Sequence, residues 1–229
     1  MIMESYCLHY DTVTPLLKTI LATLIAEPLF SPFRLVGGTN LSLRLGHRRS
    51  IDIDLFTDAQ YDSLDFRSFE KYLKYNFTYY CNTDPTSIVG LGRGYFIGRT
   101  KDECIKLDLM YTEEFLNEAE IIDGIRMASL EDIAAMKIDA ISRGGRKKDF
   151  WDVHKLLEIF SLEEMLEFHK KRQPWEHDPN QIFDALIDFN EANLMEDPIC
   201  LEGKDWDEIK LSFIELVTDM APERYNRKM

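Results

Sequence analysis

The chain has 229 residues, 45% of them hydrophobic and 30% charged, enough to bury a real core in one large domain or two small ones. Its formal net charge of −14 excludes a protein that coats nucleic acid nonspecifically, because that binding is carried by basic side chains meeting phosphates. The charge is uneven: residues 158–219 hold 17 acidic and 5 basic side chains and read as a solvated helical surface, whereas the rest is nearly neutral.

Two basic clusters stand in that nearly neutral part, Arg44, His47, Arg48 and Arg49, and then Arg143, Arg146, Lys147 and Lys148. A polyanion has a place to bind there despite the overall sign. Glu4, His9 and Asp11 interrupt any signal-peptide core, and the apolar run at 19–26 is too short to span a membrane. Cys7, Cys81, Cys104 and Cys200 are scattered and read as reduced thiols in a cytoplasmic protein.

Residues 12–28 show helical periodicity, with Leu16, Leu17, Ile20, Leu21 and Leu24 on one face. Residues 33–36 read as a short buried strand running into Gly37-Gly38, and a brief helix is expected from Thr39 to Gly46. Residues 50–56 alternate, with Asp52 and Asp54 on one face and Ile51, Ile53 and Leu55 on the other. Residues 63–75 suit a surface helix, and 86–100 a hairpin punctuated by Gly90, Gly92 and Gly94. A second alternating strand, 105–109, sets Lys106 and Asp108 on one face. From Ser129 the pattern is helical, with capping-box spacing at Ser129 and Asp132 and at Ser161 and Glu164, and a helix start at Asp178-Pro179. The expected class is α+β: a mixed-sheet core over 1–127, then a mostly helical region over 128–229 packed on it.

A strand that ends in two glycines before a helix brings bare backbone N–H groups and a helix N-terminus to one point, which suits a phosphate. Thr39 adds a hydroxyl donor, and Asp52 and Asp54, at i and i+2 on a strand, suit a hard cation. Each signal alone has a plain alternative, a tight turn for the glycines and a solvent-facing edge for the aspartates. Asp108 supplies a third carboxylate on another strand, as two-metal phosphoryl transfer requires, although a pairing with Lys106 would also explain it.

The stretch Val36-Gly37-Gly38-Thr39-x-Leu41-x4-Gly46-His47-Arg48-x-Ser50-x-Asp52-x-Asp54-Leu55-Phe56 resembles the AbiEii/AbiGii toxin family of the polymerase-β-like nucleotidyltransferases. The resemblance continues in Lys106-x-Asp108 and in Met136-Lys137-x5-Arg143-x4-Lys148-Asp149-x2-Asp152-Val153. It implies a nucleotidyltransferase-like sheet with Asp52, Asp54 and Asp108 as metal ligands and Lys137 and Asp149 in catalysis. Gly37, Gly38, Thr39, Arg48, Ser50, Arg143, Lys148 and Asp152 would bind substrate. Gly38 stands where the superfamily usually has Ser, which leaves Thr39 as the nearest hydroxyl. The implied cofactor is magnesium in a two-metal site, with manganese as the alternative. The implied partners are a nucleoside triphosphate, an acceptor such as tRNA or another RNA, and a cognate antitoxin.

Plainer readings stand beside these. Lys137 is an exposed lysine on an amphipathic helix, and the 143–148 stretch a basic turn paired with Asp149 and Asp152. His47 is structural, His154 packs, and His9, His169 and His177 lack ligand spacing. The competing functions are a non-enzymatic nucleotide- or protein-binding module and a metal-dependent glycosyltransferase using Asp52-x-Asp54.

Overall fold

A computed structural model of the chain describes residues 7–83 and 90–220. The start of the expected 86–100 hairpin, at 86–89, lies outside the described residues, as does Glu4. The chain divides into two compact units, 1–44 with 50–129 and 45–49 with 130–229.

The first unit opens with α1 (Pro15–Ala26). Pro15 stands in its first turn, where the missing N–H goes unneeded, and Thr14 accepts a hydrogen bond from the Leu17 amide. Leu17, Ile20, Leu21 and Leu24 recur at helical spacing and are fully buried against the sheet. Then come β1 (Arg34–Leu35), α2 (Gly37–Leu45), β2 (Asp52–Thr57), α3 (Phe66–Asn76), β3 (Tyr79–Asn82), β4 (Gly92–Gly98), β5 (Cys104–Tyr111), β6 (Glu120–Ile122) and β7 (Ile125–Met127).

The seven strands form one sheet in the order β3-β4-β5-β2-β1-β7-β6. β2 runs parallel to β5 and β1 parallel to β7, while the other neighbours are antiparallel, so the sheet is mixed. β2 and β5 alternate half-buried polar with buried apolar positions, as their sequences predict. Ile53, Leu55, Leu107 and Leu109 face the core, joined by Phe30, Phe33 and Phe69, whose rings lie 5.2–6.4 Å apart.

Two of the boundaries that shift bear on the aspartate face. β2 begins at Asp52, and Ile51, expected on the apolar face, is 64% exposed outside the strand. α2 begins at Gly37 rather than Thr39. Asn40 anchors that helix: its Nδ2 donates to Leu35 O at 2.8 Å and to Ala128 O at 3.0 Å, joining α2 to β1 and to the end of β7.

The second unit contains α4 (Leu130–Ser142), α5 (Lys147–Leu156), α6 (Leu162–Arg172), α7 (Pro179–Leu186), α8 (Asn190–Asn193) and α9 (Trp206–Met220). The Ser161–Glu164 capping box forms, and Asp178 caps α7 ahead of Pro179. At the start of α4, where Ser129 and Asp132 have capping-box spacing, Asn117 donates to the Ser129 hydroxyl and Arg172 to the buried Asp132. α4 packs on α5, α6 and α7, and Phe150 of α5 meets Phe189, Trp206 and Phe213 at 5.3, 5.6 and 5.4 Å between centroids. The segment 45–49 joins this unit as a short extended pairing: Arg49 N donates to Ile199 O, and Leu201 N to His47 O, both at 2.9 Å.

Among the described residues, no helix is long and apolar enough to cross a membrane. The four cysteines are free thiols.

Asn40→Ala should destabilise the chain by about 1–3 kcal/mol, because two buried hydrogen bonds are lost while both carbonyls keep another donor. Urea unfolding checks this; an unchanged midpoint would mean that α2 is anchored by packing alone.

Candidate active site

The turn from β1 into α2 explains its glycines. Gly37 has φ +67°, a left-handed conformation that side chains disfavour. A Cβ there would also collide with the carboxylate of Asp54. The Val36 amide donates to Asp54 O at 2.9 Å, so the start of the helix is tied directly to β2. The amides of the first helical turn have no partner within the helix and carry its positive dipole end, which favours an anion.

Gly38 and Thr39 lie deeper than expected, and both are buried. Thr39, expected to offer its hydroxyl to a phosphate, is 1% exposed; it donates to the Asp52 carbonyl and stands 2.8 Å from Ser50 Oγ. Thr39 and Ser50 therefore brace α2 against β2, and the backbone at Gly37 is the part of this turn that is half-buried rather than enclosed.

In the parallel pairing of β2 with β5, Asp54 stands opposite Asp108 and Asp52 opposite Lys106. All three aspartates are half-buried on the polar face. On the far side of β5, Gly94 of β4 faces Asp108, and a Cβ at Gly94 would fall 2.7 Å from Asp108 Oδ1. The strand placement is that expected from alternation.

Convergence on one point is not seen. Among the described residues, no three His, Cys, Asp or Glu side chains are gathered tightly enough to ligate an ion as they stand. Like charges on one face oppose close approach, and Asp108 instead accepts from Lys106 Nζ at 2.5 Å. The donor set still fits a hard divalent cation: three carboxylates on neighbouring strands, with glycines where side chains would crowd two of them. Asp52, Asp54 and Asp108 are the residues that would hold it.

The other sequence-singled residues meet inside the second unit. Asp152 on α5 is fully buried; its Oδ1 lies 2.8 Å from His47 Nε2 and 2.7 Å from Arg48 Nε, and its Oδ2 lies 2.8 Å from Arg48 Nη2. Lys137 Nζ on α4 stands 2.6 Å from both Asp152 Oδ2 and Asp149 Oδ1. Asp149 Oδ2 accepts from the backbone N and Nε of Arg146 at 3.1 and 3.2 Å. Lys137, expected on an exposed face, is thus 6% exposed and clamped between two carboxylates.

Burial alone would raise the Asp152 carboxyl, but Arg48 and then Lys137 hold it well below the usual range. Asp149 is lowered against the same opposition, chiefly by Lys137. Burial would lower Lys137; Asp152 and Asp149 outweigh that and raise it.

Arg143 is exposed and pairs with Asp139 and Glu176, and Lys148 is half-buried on α5. His169 and His177, unremarkable in spacing, are brought together with their Nδ1 atoms 2.9 Å apart. Their shared signal is invisible in sequence because the turn after α6 creates it.

Removing the ammonium in Lys137→Met should destabilise the chain by about 3–5 kcal/mol at neutral pH, since two buried carboxylates would then face each other. Both carboxyls are depressed in the folded state. Their contribution is therefore complete above the ordinary 3.8 and lost as pH falls through the folded values. The Lys137 contribution, raised in the fold, is complete below 10.5 and lost only above it. Urea unfolding at neutral and acid pH should show a shallower acid loss in Asp152→Asn than in the native chain; identical slopes would show that the network does not carry the acid sensitivity.

Comparison with known proteins identifies the family. The family model described as nucleotidyl transferase AbiEii toxin, type IV toxin–antitoxin system, matches residues 19–227. An uncharacterized protein of Aquifex aeolicus is 30% identical over 161 residues, covering 68% of this chain and 73% of that protein. The crystal structure of JHP933 from Helicobacter pylori is 20% identical, covers 92% of each chain and superposes with a TM-score of 0.55, a likeness of fold. MenT4, a nucleotidyltransferase toxin of Mycobacterium tuberculosis, is 12% identical over 87% of this chain and 84% of its own, with a TM-score of 0.48. The family match sets aside the glycosyltransferase and non-enzymatic functions. The chain belongs to the AbiEii toxin family of type IV toxin–antitoxin systems and is a nucleotidyltransferase.

Proposed function

We propose that the chain moves a nucleoside monophosphate from a nucleoside triphosphate to a hydroxyl acceptor, with Asp52, Asp54 and Asp108 holding magnesium. The observation that carries this reading is the row formed by Gly37, Asp54, Asp108 and Gly94, in which two facing carboxylates are flanked by glycines on both sides. Manganese meets the same donor requirements.

The chain's own residues divide the work. The amides at the start of α2 bind phosphate oxygens, and the missing side chain at Gly37 lets those oxygens approach Asp54. When bound, the metal supplies positive charge to the triphosphate and acidifies the acceptor hydroxyl. The acceptor oxygen bonds to the α-phosphorus, the bond to the bridging oxygen breaks, and pyrophosphate leaves. Asp108 takes the acceptor proton, lying on the neighbouring strand with Asp54 opposite it.

Thr39 and Ser50 keep α2 and β2 in register and do not bind phosphate themselves. Lys137, Asp149, Asp152 and Arg48 act by holding the second unit together rather than by touching substrate. The acceptor class we favour is RNA, tRNA included, because the family is described as a toxin and RNA supplies free hydroxyls. A cognate antitoxin is the corresponding partner.

Calorimetry tests the site directly. Magnesium alone should bind weakly, since it keeps most of its waters without phosphate, and triphosphate should bind much more tightly with magnesium than without. Asp52→Asn keeps the shape and removes one charge, so metal-dependent triphosphate affinity and turnover should both collapse. Equal affinity in both proteins, with no magnesium dependence, would show that these aspartates do not form the metal site.

In Gly37→Ala, strain at φ +67° and the clash with Asp54 should lower turnover with labelled triphosphate and total RNA by at least about 100-fold, the scale set by a misplacement of about 1 Å. Native turnover in that variant would show that the turn is not where the phosphates sit.

A further inference from the structure

We propose that Lys106 is the exchangeable counter-ion of the aspartate face: its ammonium holds Asp108 when no metal is bound and yields that carboxylate when one arrives. The inference rests on the metal-holding role proposed above for Asp52, Asp54 and Asp108, and adds a residue that opposes it.

Alternation and register bring Lys106 there. It lies two residues before Asp108 on the same face of β5, directly opposite Asp52, while Asp108 is opposite Asp54. The four side chains make a block of three carboxylates and one ammonium on two adjacent strands. Lys106 Nζ is 2.5 Å from Asp108 Oδ2, so the carboxylate that a metal would need is already engaged by a cation of the chain itself.

Burial decides whether such a pair is permanent. Lys137 and its carboxylates are at most 7% exposed, and nothing can replace the ammonium without leaving buried charge. Lys106 is 39% exposed and Asp108 16%, so water screens the pair and the lysine head has somewhere to go. An ion pair of that exposure is weak enough for a divalent cation to displace. The lysine then lowers apparent metal affinity twice, by occupying Asp108 and by adding a positive charge beside the incoming ion.

Manganese is a suitable probe, followed by calorimetry and by electron paramagnetic resonance of the free ion, with no turnover involved. Lys106→Met should bind manganese about 5-fold more tightly than the native chain, the scale set by the worth of a partly exposed pair. Lys106→Arg, which keeps the charge, should stay within about 2-fold of native. In chelator, Lys106→Met should melt at a lower temperature than native, and manganese should raise its melting temperature by the larger amount. Lys106→Gln gives the same reading if the methionine variant does not fold.

Manganese affinity in the neutral variants equal to or weaker than native would overturn the counter-ion role while leaving the metal site standing. Absence of manganese binding in every variant, with triphosphate affinity indifferent to manganese, would overturn both.

Discussion

Two aspartates facing each other across parallel strands set the terms for the whole first unit. Asp54 and Asp108 repel, so the fold has to hold their strands together by other means and keep the space beside the carboxylates free. The apolar faces of β2 and β5 do the first: Ile53, Leu55, Leu107 and Leu109 are fully buried on the opposite side. Glycines do the second. The β1–α2 turn passes Asp54 with Gly37 at a positive φ that side chains disfavour, and a Cβ at Gly94 of β4 would press on the side-chain oxygens of Asp108 and Thr83. The glycine pair and the aspartate pair are one steric arrangement, not two motifs that happen to be near in sequence.

The second unit solves the opposite problem, charge with no access to water. Asp152 is enclosed completely, and a carboxylate in that position survives only because its oxygens meet Arg48 in a bidentate fork, Lys137 and His47. The cost of burying these groups is fixed at folding, so removing any one partner exposes the others to an unsatisfied low-dielectric setting. Arg48 is supplied by the short segment 45–49, whose backbone pairs with residues 199–201. His47 and Arg48, between the glycines and the aspartates of the family motif, thus serve the second unit's interior.

Much of the first unit was legible because its signals are local. Alternation located β2 and β5 to within a few residues and put Asp52, Asp54 and Asp108 on polar faces. Helical spacing located α1, and cap chemistry located α6 and α7. What sequence missed depends on partners far along the chain. Ile51 fits the alternation yet lies before the strand, because Ser50 is taken by Thr39 and Thr12. Thr39 looked like a free donor because its acceptor, the Asp52 carbonyl, is a backbone atom that no side-chain pattern announces. Lys137 looked exposed because an isolated lysine among alanines and isoleucines reads as a surface residue; its burial follows from Asp149 and Asp152 on the next helix.

That difference in partners changes what a loss of activity means at each position. At Asp52, Asp54 and Asp108 the side chains are half-buried on a solvent-facing polar face, and an amide replacement conserves shape, so the fold has little reason to fail. Lost turnover there reports on chemistry. At Arg48, Lys137, Asp149 and Asp152 a neutral replacement leaves charge buried without its counter-charge, and the fold is weakened before any substrate is met. Inactive variants in both sets would look alike in an activity screen although their causes differ. Lys106 belongs to neither set: its pair is exposed enough to break and close enough to the aspartates to matter. Of these residues it is the one whose replacement should strengthen ion binding rather than weaken it.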